Sequence, residues 1–183
     1  MPIGEGFATT LAAAKEGAEW AWSALYRDLV GPLTGYLASR GAPDPDDAAA
    51  EVFYQVARSL RRFEGDEAAF RSWVFVIAHR RLIDLRRRRS RRPETTTWTA
   101  AASRAGGDAE QEAIDALVTG EIQSALALLT DDQRDVLSLR IVAGLTLEET
   151  ARVVGKRVGA VKALQRRAVR ALQRIVVLGG VTL

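Results

Sequence analysis

Cysteine is absent from the chain, which excludes a disulfide framework and a thiolate metal site. Histidine occurs once, at His79, with no carboxylate cluster, cysteine or Gly-rich phosphate loop beside it in the sequence. An enzyme is therefore hard to build from these residues. The expectation is no catalytic residue, no metal and no cofactor, with His79 a packing or backbone-contacting residue. The opening "MPIGEGFATTLAAAKEGAEW" lacks a basic stretch followed by a long apolar one. Neither a signal peptide nor membrane insertion is expected, and a cytoplasmic protein is the simplest reading. Sustained period-two alternation is missing as well, so strands are not expected.

What is present is a core-forming composition, 48% hydrophobic over 183 residues. Apolar residues recur at three and four along nearly every patterned segment. One helix is expected over residues 19–40, with Trp22, Leu25, Tyr26, Leu29, Leu33, Tyr36 and Leu37 on one side and Pro32 bending it. "GAPDPDD" closes it and opens a second over 46–60, burying Val52, Phe53 and Val56. After the turn "FEGDEAA" a third runs over 70–89, with Val74, Ile77, Ala78, Leu82 and Leu85 in helical register. Pro93 stops it. Residues 93–115, rich in Thr, Ala and Gly, carry no apolar period and read as a linker. A second helical block spans 116–178. The fold class expected is all-α: an N-terminal extension (1–18), a helical domain (19–92), the linker, a second helical domain and a short tail (179–183). No internal repeat is visible.

Charge is concentrated along the chain. Residues 80–92 hold eight arginines against one aspartate, and residues 156–174 hold seven basic residues and no acid. Between them, residues 93–135 carry nine acids and two arginines. Two separate basic patches point to two contacts on a polyanion, with nucleic acid the leading candidate.

"LTLEETARVVGKRVGAVKALQRR" is the most informative segment. Thr146 and Glu149 have the spacing of a capping box that starts a short helix at Leu147. Gly155 stands where a left-handed C-terminal residue is needed. A second helix resumes near Arg157 or Val158, with Val161, Leu164, Ala168, Leu172 and Ile175 inward and Ala151 small at the crossing. This is a helix-turn-helix. Lys156, Arg157, Lys162, Arg166 and Arg167 would face the major groove, where Arg and Lys read guanine edges or hold phosphates. Upstream, Thr130 and Gln133 repeat the capping-box spacing, and Val136, Leu137, Ile141 and Val142 are expected to be core.

In the first domain, Arg80, Arg81, Arg86, Arg87, Arg88 and Arg89 crowd the last turns of one helix. A helix dipole is satisfied by one or two cations, and the surplus repels itself at i+3 and i+4 unless an anion neutralises it. Phosphates are the economical explanation, with a steep salt dependence as the consequence. Phe63, Phe70, Trp73 and Phe75 lie just upstream; such aromatics are usually core, but beside a basic helix they are also the equipment for holding unstacked bases.

Together, "DPDDAAAEVFYQVARSLRRFEGDEAAFRSWVFVIAHRRLIDLRRRR", a linker, and "LLTDDQRDVLSLRIVAGLTLEETARVVGKRVGAVKALQRRAVRAL" resemble an extracytoplasmic-function (ECF, group 4) sigma factor of bacterial RNA polymerase, of the sigma-70 family. The resemblance covers about 150 residues in the family's order, region 2, linker, region 4. It implies that Asp44, Asp46, Asp47, Glu51 and Gln55 dock on core RNA polymerase. It implies that Arg62, Phe63, Phe70, Arg71, Trp73, Arg80, Arg81, Arg86, Arg87 and Arg88 capture and melt the −10 element. Lys156, Arg157, Lys162, Arg166 and Arg167 would then read the −35 element as duplex, and an anti-sigma factor would be a further partner. The chain departs from the family at Ala50, where Gln is common, at Arg80, where Asn is common, and at Ala163 and Leu164, where Ser-Arg is common. These departures bear on promoter sequence rather than class. Without the resemblance, a helix-turn-helix repressor or activator acting without core polymerase, or an RNA-binding adaptor, would also account for the basic patches.

Overall fold

The computed structural model describes residues 3–91 and 128–178, and every regular element among them is helical. The linker, residues 116–127 of the second block and the tail lie outside the described residues. A 3-10 turn, Gly4–Gly6, leads into α1, Phe7–Lys15. The N-terminal extension thus contains a helix: Phe7, Leu11 and Ala14 fall at i, i+4 and i+7 and are buried together. α2, Glu19–Ser39, runs through Pro32 and buries Ala21, Leu25, Leu29, Leu33, Tyr36 and Leu37. Tyr26, expected on that row, sits at the rim with its ring 4.6 Å from that of Phe53.

Asp44 caps α3, Pro45–Ser59, by accepting from the Asp47 N–H at 2.9 Å, and Pro45 occupies the first turn, where no backbone donor is needed. A 3-10 turn, Leu60–Arg62, follows. α4, Glu67–Arg91, starts three residues earlier than its apolar period suggests, because Asp66 Oδ1 accepts from the Ala69 N–H at 2.7 Å and acts as a cap.

The second block opens with α5, Asp131–Leu137, whose Thr130–Gln133 capping box is fully formed. The helix then widens into a π-turn, Ser138–Val142. That extra residue per turn shifts the buried phase. Ser138, Leu139 and Ala143 go inward, whereas Ile141 and Val142, expected as core, are exposed, Ile141 at 71%. α6, Leu147–Val154, and α7, Val158–Leu178, complete the described chain.

The two blocks share a core. Leu139, Ala143, Leu145 and Val153 of the second pack into the cluster formed by α1–α4. Leu139 and Leu145 are wholly buried, each contributing roughly 1.5–3 kcal/mol by its removal from water. α6 lies against α4, and the π-turn lies against α2, where Val142 Cγ1 comes so near Gly35 that a Cβ there would meet it at 2.9 Å.

Candidate nucleic-acid and polymerase interfaces

The helix-turn-helix is built as its sequence indicates. Glu149 donates its N–H to Thr146 Oγ1 at 3.1 Å, and its carboxylate accepts from the Thr146 N–H at 2.6 Å. Gly155 ends α6 in the left-handed region, φ 65°, and the Lys156 N–H returns to the Ala151 carbonyl at 3.0 Å. Val161 and Leu164 of α7 close on Ala151 of α6 and Val136 of α5. With those anchors inside, Lys162, Arg166 and Arg167 stand exposed on the opposite face, and Arg157 is exposed at the helix entrance. Lys156 is half-buried and pairs with Asp132 at 2.9 Å. Gln165, Val169, Arg170 and Gln173 share the outer face of α7 with Lys162 and Arg166. Gln165 and Gln173 add amides to this face that charge alone does not mark; an amide can pair with adenine edges as arginine does with guanine.

In the first block the acidic end of α3 is presented to solvent: Asp44, Asp46, Asp47 and Gln55 are exposed. Glu51 is partly covered because it pairs with Arg81 of α4. Tyr54, also absent from the sequence reading, is 64% exposed on this face, with the Arg58 guanidinium carbon 5.7 Å from its ring centre.

The basic helix divides its residues. Phe63 and Trp73 are half-buried and stacked, centroids 5.0 Å apart and planes at 24°. Arg62 is exposed beside them. Phe70, expected at the DNA, is instead core: it is 2% exposed under that pair, 5.6 Å from Phe7. Phe75 is fully buried too. Arg80 and Arg87 are exposed. Arg71 pairs with Asp28 at 3.0 Å and reaches the Ala143 carbonyl at 3.4 Å, and Arg86 pairs with Asp131 at 3.4 Å. Arg81 is held by Glu51. The side chains of Arg88 and Arg89 lie outside the description.

Two family models match this chain. "Sigma-70 region 2" matches residues 22–92 and "Sigma-70, region 4" matches residues 125–174. ECF RNA polymerase sigma factor ShbA of Streptomyces griseus subsp. griseus is 32% identical, over 71% of this chain and 70% of its own length. The chain belongs to the ECF sigma factors of the sigma-70 family. ECF RNA polymerase sigma factor BldN of Streptomyces coelicolor is 30% identical over 88% of this chain, the match spanning 62% of that relative. The solved structure of CnrH in complex with the cytosolic domain of CnrY shares the fold, with a TM-score of 0.70 and 24% identity over 92% of this chain and 95% of that one. The match of both regions, in order, sets aside a free-standing repressor.

In this sigma factor regions 2 and 4 meet across a buried polar seam. Arg40, at the end of α2, has a fully buried side chain; its Nε lies 2.6 Å from Asp135 Oδ1 of α5, and its Nη2 is 3.5 Å from Asp131. Burial lowers the Arg40 pKa, and the Asp135 carboxylate opposes that shift. His79 of α4 stands 3.8 Å from the same Asp135 oxygen, and its Nδ1 is 3.0 Å from the Tyr36 hydroxyl. Burial, reinforced by Asp135, pushes the Tyr36 pKa far up, so its hydroxyl keeps its proton beside Nδ1. His79 is a packing residue as expected, but its partners are side chains rather than backbone.

Among the described residues no helix is long and apolar enough to cross a membrane, and no group of His, Cys, Asp or Glu could hold a metal ion.

Proposed function

We propose that the chain is a group 4 ECF sigma factor that binds core RNA polymerase and directs initiation at promoters bearing a −35 and a −10 element. The observation that carries this is the pairing of two unlike surfaces on one chain. A helix-turn-helix offers Lys162, Arg166 and Arg167 to a duplex groove, while the first block offers Arg80 on α4 and Arg62 next to a half-buried Phe63–Trp73 stack suited to unpaired bases. The exposed Asp44, Asp46, Asp47 and Gln55, with Tyr54 beside them, form the surface for polymerase. Phosphodiester chemistry belongs to the polymerase, so the chain carries no catalytic residue and acts in the cytoplasm. The family resemblance brings with it an anti-sigma partner that holds the chain off polymerase.

The arrangement of the blocks has a consequence for this activity. Elements centred at −35 and −10 lie about 25 base pairs apart, roughly 85 Å of duplex. α7 is only about 31 Å long at 1.5 Å per residue, and its region shares a core with region 2. Engaging both elements together would part the regions, releasing Arg71 from the Ala143 carbonyl and Arg86 from Asp131.

The test is transcription in vitro with purified bacterial core polymerase over a library of promoter fragments, with and without the protein. Protein-dependent transcripts from fragments sharing two spaced elements establish the activity and reveal the promoter. Absence of transcripts, with tight duplex binding by the protein alone, overturns it.

A further inference from the structure

The turn between α3 and α4 is held from a distant part of the chain. Both oxygens of Glu67 accept backbone N–H groups from the N-terminal segment, Oε1 from Ile3 at 2.6 Å and Oε2 from Gly4 at 3.0 Å. A carboxylate in the first turn of a helix favours the dipole without any such partner. Here it spends both acceptors on residues more than sixty positions away. Phe7, buried at the start of α1, sets its ring 5.6 Å from Phe70. Phe70 in turn lies 5.4 Å from Phe63 edge-on and 5.9 Å from Trp73. The N-terminal segment therefore backs the whole aromatic group.

The front of the turn is equally constrained. Gly65 has φ 149°, open to glycine alone, and a Cβ there would stand 2.9 Å from Ala69 Cβ and 3.1 Å from the Phe63 ring. Glu64, Gly65 and Asp66 are exposed and add no apolar packing of their own. The position of Phe63 thus depends on what lies behind it.

We propose that Glu67 and Phe7 are positioning residues for single-strand capture. They hold the Phe63–Trp73 stack, beside Arg62, in the register at which an unstacked base of the −10 strand is received. This rests on the reading that the turn takes the melted strand. Neither residue touches DNA; each acts through Phe70 or the start of α4.

The probe is holoenzyme assembled with bacterial core polymerase on a promoter library randomised across the −10 element. The base preferences of the transcripts are read at −10 and at −35, alongside the thermal midpoint of the free protein. Glu67→Ala and Phe7→Ala should each flatten the −10 preference about tenfold, the scale of one weakened base–aromatic stack. The −35 preference should stay as it is. Phe7→Leu, which keeps the packing, should restore most of the loss, and Glu67→Gln, which keeps one good acceptor, should fall between. An unchanged −10 preference overturns the proposal, and so does a loss that strikes both elements in step with the thermal midpoint. Phe63→Ala separates the two readings. If it flattens the −10 preference while Glu67→Ala and Phe7→Ala do not, only the positioning role fails. If it changes nothing, the capture site itself is elsewhere, and the role of Glu67 goes with it.

Discussion

Arg40 Nε and Asp135 Oδ1 lie 2.6 Å apart at the seam between regions 2 and 4, with the arginine side chain wholly buried and the aspartate nearly so. Removing one member leaves the other charge without its partner in a poorly hydrated place, which typically costs about 3–5 kcal/mol. Arg40→Ala should lose stability on that scale in urea denaturation. Because the seam joins the blocks, small-angle scattering should also show a larger radius of gyration. A radius equal to that of the parent protein would mean that the apolar contacts of Leu139, Leu145 and Val153 hold the regions together alone.

The seam also titrates. His79 is partly buried between the Tyr36 hydroxyl of α2 and the Asp135 carboxylate of α5, with Arg40, Arg86 and Asp132 further contributing to its field. Burial lowers its pKa below the ordinary 6.5, and Asp135 only partly offsets this. The unfolded chain then binds the proton more readily than the folded one. Stability from this group is present above pH 6.5 and lost as the pH falls toward the lower, folded value. The urea midpoint should drop on acidification through that window, and His79→Gln should remove this part of the dependence.

Lys162 and Arg166 are exposed on α7 without roles in its packing. Replacing both with Ala should weaken binding of −35 duplex while core polymerase binding is retained. If both neutralise phosphates, the slope of log K against log salt should fall by about 1.8. Loss of core binding to the same extent would contradict the separation of the two surfaces.

Gly155 holds φ 65° with nothing within 4 Å of where a Cβ would lie. Gly155→Ala therefore meets no steric neighbour and tests the backbone conformation alone. It should cost about 1–2 kcal/mol by thermal denaturation, and −35 binding should weaken as the angle between α6 and α7 loosens.

On the face proposed for polymerase, Asp46 and Asp47 are the cleaner probes, because Glu51 is already engaged by Arg81. Asp47→Lys should weaken core binding measured by fluorescence anisotropy. Glu51→Lys should disturb α4 as well, and so change −10 recognition. Equal core affinity for Asp47→Lys and the parent would remove that residue from the docking surface.

The local devices were legible in the sequence: both capping boxes, Gly155 as the left-handed stop, and the inward row Val161, Leu164 and Ala168. Each is set by neighbours three or four positions away, and spacing is all that such short-range geometry requires. Where spacing misled, the cause lies outside the regular helical period. Ile141 and Val142 fit the apolar period but are turned outward by the π-turn, which lets Leu139 and Leu145 reach region 2. Phe70 has the look of a base-stacking residue and is made core by Phe7, a residue the sequence left in an unpatterned extension.

The sequence by itself determined the all-helical class, the two basic surfaces and the helix-turn-helix, because propensity, capping and amphipathic period act within a few residues. Only the tertiary structure decided which of those charges are occupied. Arg40, an ordinary arginine at a helix end, became a buried tie to Asp135, and Arg71, Arg81 and Arg86 found carboxylates on other elements. Glu67 likewise acquired its partners from the far end of the chain. A charge's partner is fixed by which faces pack together, and local pattern holds no record of it.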